Sequence, residues 1–242
     1  MKVVLSSIDV LDNWKTFLIH FFILPILETF VFLALHYQIT ASFNSRLVVA
    51  SLLLASGTTA MNQMGGSFTQ DIIRGIDRDL VRKSPYNLYF WGSKFVVIFV
   101  FSLTLFLTNS LLFWLAGVDS RALIMGLLLS PLIILFGLII GLACAIFGWR
   151  LQNHYAFTNF FVSFALVFSG VVVPYWLYPP LFYPLTYILP FARIMAMLFS
   201  GTFSVHLFLQ DGLIALVWFL LAVICYQYQV KRIATYTRKG ML

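Results

Sequence analysis

Long apolar runs that end at charges are the dominant pattern of the chain. Stretches free of Asp, Glu, Lys and Arg cover 47–70, 95–118, 122–149, 151–192 and 212–230. A charge at mid-bilayer costs at least a few kcal/mol, so these stretches are candidate membrane spans. The segment 17–37 joins them, because Phe17 to Tyr37 is mostly aliphatic and aromatic and is interrupted only by Glu28. Proline divides the longest run: Pro174, Pro179, Pro180, Pro184 and Pro190 crowd its second half, and each removes a backbone donor and clashes with the preceding turn. The pattern predicts spans over about 17–37, 47–68, 94–117, 122–148, 155–173 and 210–230. A re-entrant broken-helix hairpin over 174–200 is expected between the last two, dipping into the outer leaflet under the shelter of the protein.

Between the runs, helical periodicity marks two amphipathic segments. Val4, Ile8, Leu11 and Leu18 recur at roughly helical spacing with Asp9, Asp12 and Lys15 between them. They predict an interfacial helix over 3–16, with a simple extension of the first span as the alternative. From Gln70 to Pro85 the chain reads QDIIRGIDRDLVRKSP. A helix over 70–84 would carry Ile72, Ile73, Ile76 and Leu80 on one face and Arg74, Arg78 and Arg82 on another, with Asp79 beside Arg82 or Lys83 and Pro85 ending it. Its basic face suits lipid phosphate, and its apolar ridge suits a soluble partner.

Composition excludes a water-soluble fold. The 242 residues are 62% hydrophobic and 10% charged, against about 45–50% and 25% in globular proteins. The sequence is that of an all-α integral membrane protein with one transmembrane domain over 1–242. Its net charge of +7 sits at the ends of apolar runs, which favours anionic membrane lipid and leaves no basis for nucleic-acid binding. With the amino terminus inside, Lys2, Lys15, Arg74, Arg78, Arg82, Lys83, Lys94, Arg150, Lys231, Arg232, Arg238 and Lys239 are cytoplasmic, and only Arg46, Arg121 and Arg193 are outside. That asymmetry puts both termini in the cytoplasm of a plasma or inner membrane. No cleavable signal peptide is expected.

The sequence contains no G-x-x-x-x-G-K-[ST], G-x-S-x-G or H-E-x-x-H motif, and His20, His36, His154 and His206 stand far apart. Cys144 and Cys225 each lie within an apolar run. A transport subunit without enzymatic activity, metal or cofactor of its own is expected. Glu28, an intramembrane carboxylate, is a functional candidate by default, with Thr104, Thr108 and Asn109 as possible partners. In the hairpin, Tyr175, Trp176, Tyr178, Phe182, Tyr183 and Tyr187 suit either an exit gate or an interfacial aromatic belt.

Asp79, Leu80, Ser84 and Pro85 reproduce the spacing of an acid, a leucine and a Ser/Thr-Pro pair, and Lys94 follows at the start of the next span. This segment resembles the cytoplasmic coupling region of type-2 ABC-transporter permeases (the ABC-2 family). SGVVVPYWLYPPLFYPLTYILP, from Ser169 to Pro190, is similar to that family's outer hairpin, and Pro25 near Glu28 extends the resemblance into span one. The resemblance implies an export channel of two permease copies, identical or merely similar, with two cytoplasmic ATPase subunits that use ATP and Mg. It would place Glu28 near the channel, for which Thr108, Asn109 and the hairpin aromatics are further candidates. An amphiphilic, drug-like, lipid-linked or glycan substrate suits such a path. A secondary transporter or channel, and a non-transporting scaffold, are the alternatives.

Overall fold

A computed structural model describes residues 14–40, 43–149 and 151–239. The described residues are helical with no strand. Trp14–Leu18, the π-helical Ile19–Ile23 and Leu24–Thr40 run on as one helix, α1. It is followed by α2 (Ser45–Ile73), α3 (Ile76–Lys83), α4 (Leu88–Leu115), α5 (Ser120–Gly148), α6 (Ala156–Phe168), α7 (Ala192–Ser200) and α8 (Val205–Lys239). Of these, α1, α2, α4, α5 and α8 are long and apolar enough to cross a membrane, as expected of a multi-pass membrane protein.

Two expectations change, and a third falls mostly outside the described residues. The span expected over 155–173 is helical only as α6, whose 13 residues reach about 20 Å, short of a ~30 Å hydrocarbon core; bends follow at 169–173. The coupling helix expected over 70–84 is two pieces, because α2 continues to Ile73 and Gly75, at φ +71°, breaks the chain before α3. A left-handed glycine just past a helix end is a standard C-terminal stop, so Ile72 and Ile73 share no helix with Ile76 and Leu80. Of the interfacial helix expected over 3–16, only Trp14 to Thr16 fall within the described residues, and they begin α1.

Polar side chains start the helices. Asn44 Oδ1 accepts from Arg46 N at 2.9 Å, Asn87 Oδ1 from Tyr89 N at 3.0 Å, and Asp119 Oδ1 from Arg121 N at 3.1 Å, each occupying an N–H that the helix cannot satisfy. Helix α2 is the hub, packed against α1, α4, α5, α6 and α7. In its most apolar 18-residue stretch 83% is buried, against 22%, 28% and 17% for α1, α4 and α8. It is also the least apolar of the five, since a helix walled by protein can carry hydroxyls that bond back to their own turns. Ser51, Ser56, Thr58, Ser67 and Thr69 all donate to carbonyls three or four residues earlier.

The most extensive helix pair, α2 and α5, meets through glycine. A Cβ on Gly137 would lie 2.3 Å from Gly57 O, and one on Gly141 2.6 Å from Met61 O. Small residues at a four-residue interval let backbones approach where lipid supplies no hydrophobic drive between helices.

Prolines within spans are compensated from outside the backbone. Pro25 gives no N–H to Phe21 O, and Asn109 Nδ2 of α4 donates to that carbonyl at 2.8 Å. Pro131 likewise deprives Leu127 O, which accepts from Ser130 Oγ at 3.0 Å. Neighbouring side chains that satisfy such freed carbonyls are what make proline tolerable at membrane depth.

Candidate functional site

Two polar clusters lie at opposite ends of the bundle. At the end bearing Lys83, Lys231 and Arg232, Asp71 of α2 and Lys94 of α4 form an ion pair, 4% and 1% exposed. Lys94 Nζ also donates to Ser67 O at 3.2 Å and stands 4.9 Å from the Phe90 ring centre. The charges are thereby matched and hydrogen-bonded, which burial of ions requires.

Around this pair an aromatic cluster joins α2, α4, the end of α5 and α8. Phe68 stacks on Trp91 at 5.9 Å, Trp149 stacks on Tyr226 at 5.8 Å, and Trp91 meets Tyr226 edge-on at 5.4 Å. Tyr226 Oη donates to Pro85 O at 2.7 Å, and Trp91 Nε1 points at the same carbonyl from 3.5 Å. The connection after α3 is therefore held by α8. Leu80 of α3 lines a small cavity with Phe68, Asp71, Trp91 and Tyr226, and Val81 is buried. Ile76 and Ile72 are half-buried, and Arg74 and Asp79 are exposed. The side chains of Arg78 and Arg82 lie outside the described residues.

At the opposite end, the hairpin is built on one buried arginine. Two short 3₁₀ turns, Tyr175–Leu177 and Tyr183–Tyr187, precede α7. Arg193, fully buried, donates to Thr186 O and lies 3.6 Å from the centre of the Tyr187 ring and 5.3 Å from that of Tyr175. Asp211 of α8 accepts from Arg193 N and Ile194 N, both at 3.0 Å, capping the start of α7. Its other oxygen is 3.8 Å from the guanidinium. Arg193 is thus an internal anchor of the hairpin. Trp218 Nε1 adds a bond to Ile188 O at 2.7 Å, and Tyr178 Oη one to Val167 O at 2.6 Å.

The hairpin aromatics divide accordingly. Tyr175 is half-buried against Arg193, whereas Trp176 and Phe182 are exposed. Tyr183 and Tyr187 share a hydrogen bond of 3.1 Å, which with the nearby guanidinium holds the Tyr187 hydroxyl below its usual range; the same bond holds Tyr183 above it.

The expected partners of Glu28 are engaged elsewhere. Asn109 serves Phe21 O, and Thr108 bonds back to Thr104 O at 2.9 Å. Next to Glu28, Thr29 Oγ1 donates to Pro25 O at 2.8 Å and shares a 2.7 Å bond with Ser51 of α2. Glu28 itself is half-buried.

Asp71, Arg193, Asp211 and Tyr226 did not stand out in the sequence. The available signal was charge scarcity, since Asp71 and Asp211 are two of only eight acids and both border long apolar runs. Comparison of the chain with protein-family models, curated proteins and solved structures finds no match.

Proposed function

We propose that the chain is the membrane subunit of an ABC exporter in the plasma or inner membrane, forming with a second permease copy the path for an amphiphilic substrate and driven by a separate cytoplasmic ATPase. The observation that carries this reading is the seating of α3. It is a short amphipathic helix at the basic end of the bundle, with Leu80 beside the Asp71–Lys94 pair and the following Pro85 carbonyl bonded to Tyr226. A push on α3 then acts on α2 and α4 through the ion pair and on α8 through Pro85. Coupling between a nucleotide site and a substrate path needs such an element, biased from both sides.

Ile76 is a ridge residue left partly open on α3, and a fully buried side chain of its kind contributes about 1.5–3 kcal/mol to an interface. Ile76→Asp is expected to release the ATPase from the membrane while the spans stay inserted. Asp79→Arg, at an exposed charge, should weaken coupling and keep part of the binding. Copurification of the ATPase and substrate-stimulated ATP hydrolysis check both, and an Ile76→Asp protein with full binding and export would overturn the reading. A lipid-anchoring role for this segment predicts the opposite order, with neutralisation of Arg74, Arg78 and Arg82 the more harmful change.

Orientation is tested separately. A cysteine at Thr202, in the exposed turn after α7, should react with a membrane-impermeant reagent from outside, and one at Ser84 should not. Outside labelling at Ser84 would place α3 on the wrong side for any cytoplasmic ATPase.

A further inference from the structure

At the basic end of the bundle a groove of about 270 Å³ opens between α4, α5 and α8. Phe95, Leu142 and Phe219 wall its deep end, and Tyr86 and Gln227 its shallow end. Along α8 it extends from Phe219 to Gln227, eight residues or about 12 Å at 1.5 Å per residue, close to the ~15 Å thickness of one hydrocarbon leaflet. Its almost wholly apolar lining, drawn out along α8, suits a single hydrocarbon chain.

Charge identifies the rest of the occupant. The face of α8 that carries Phe219, Val223 and Gln227 continues one turn later to Lys231, with Arg232 beside it and Lys83 at the same end of the bundle, all three exposed. After Asp211, α8 carries no acidic residue up to Lys239. Cations placed just beyond the hydrocarbon attract anionic headgroups.

We propose that this groove is a binding site for one anionic phospholipid, with an acyl chain lying between Phe219 and Gln227 and the headgroup phosphate at Lys231. The lipid lies against Trp91 and Tyr226, which line the groove and together hold the Pro85 carbonyl. Its occupancy therefore stiffens the connection that follows α3.

Native mass spectrometry of the full chain, released from nanodiscs of equal phosphatidylcholine and phosphatidylglycerol, tests the site. The parent should retain one phosphatidylglycerol per chain, at least about tenfold over phosphatidylcholine. Val223→Trp, which fills the half-buried wall of the groove, should lower retention of both lipids about tenfold. Lys231→Glu, at an exposed position, should keep lipid in the groove but bring the two headgroups close to parity. A parent that retains no lipid, a Val223→Trp chain that retains as much as the parent, or a headgroup preference untouched by Lys231→Glu would each overturn the proposal. So would a dimer that Val223→Trp dissociates, since it would assign the groove to a second copy. No ATPase enters the measurement, so its outcome is independent of the export reading.

Discussion

Lys94→Met is expected to destabilise the protein by about 3–5 kcal/mol, because it removes the ammonium that faces the buried Asp71 carboxylate. The same loss is expected for Asp71→Leu, which takes the carboxylate from Lys94 and leaves it facing Ser67 O and the Phe90 ring. The double change Asp71→Leu with Lys94→Met should recover most of the stability, since replacing both members of a buried pair with apolar groups of similar size is often neutral or better. Unfolding by steric trapping in bicelles measures all three. Single variants within about 1 kcal/mol of the parent would mean that water reaches the pair and that its burial is wrongly described. If the export reading holds, the double variant should fold yet couple poorly, because an apolar contact fixes the register of α2 against α4 less tightly than an ion pair.

Gly137→Ala should be nearly as damaging, although it adds one methyl group. The added carbon would meet Gly57 O at 2.3 Å and Gly57 C at 3.0 Å. Both are backbone atoms of the central helix, so no side chain can turn aside, and α2 and α5 must part by about an ångström. Overpacking costs about 1–3 kcal/mol in cores whose side chains can give way, and a backbone contact belongs at the top of that range. Gly92→Ala is the control, since nothing lies within 4 Å of a Cβ there and the helix gains close to 1 kcal/mol of propensity. Equal stability of the two variants in the same bicelle assay would contradict the close approach of α2 and α5.

The existence of the long helices was legible because the bilayer imposes a length and a polarity on them. Their ends were less so. Counting charge-free runs stopped the second span before Asp71, began the third at Lys94 and opened the last one residue before Asp211, whereas the helices run past these charges, to Ile73 and from Leu88 and Val205. A charge paired across helices no longer marks a boundary, and pairing is a property of the tertiary fold. The break at Gly75 was readable from the glycine itself, and helical periodicity masked it by carrying the apolar face straight through. The proline-rich segment forms short 3₁₀ turns as far as Tyr187 and a regular helix from Ala192, but its anchor was not visible, since Arg193 and Asp211 are separated by 18 positions. Asn109 illustrates the same limit. Its role follows from the carbonyl that Pro25 leaves free 88 positions away, and only packing of α1 on α4 brings the two together.

The capping of α7 by Asp211 also orders the birth of the protein. A chain made from its amino terminus presents Arg193 before the carboxylate that will sit beside it, and the last long helix must thread into the membrane before that carboxylate can arrive. Until then the hairpin has a guanidinium to bury and two free N–H groups at the head of α7, both costly away from water. The hairpin is therefore finished last. A ribosome stalled short of Asp211 leaves an insertion intermediate in which the end of the bundle that bears Arg193 is unsettled, and quality-control proteases should discriminate most sharply between complete and incomplete chains at that end.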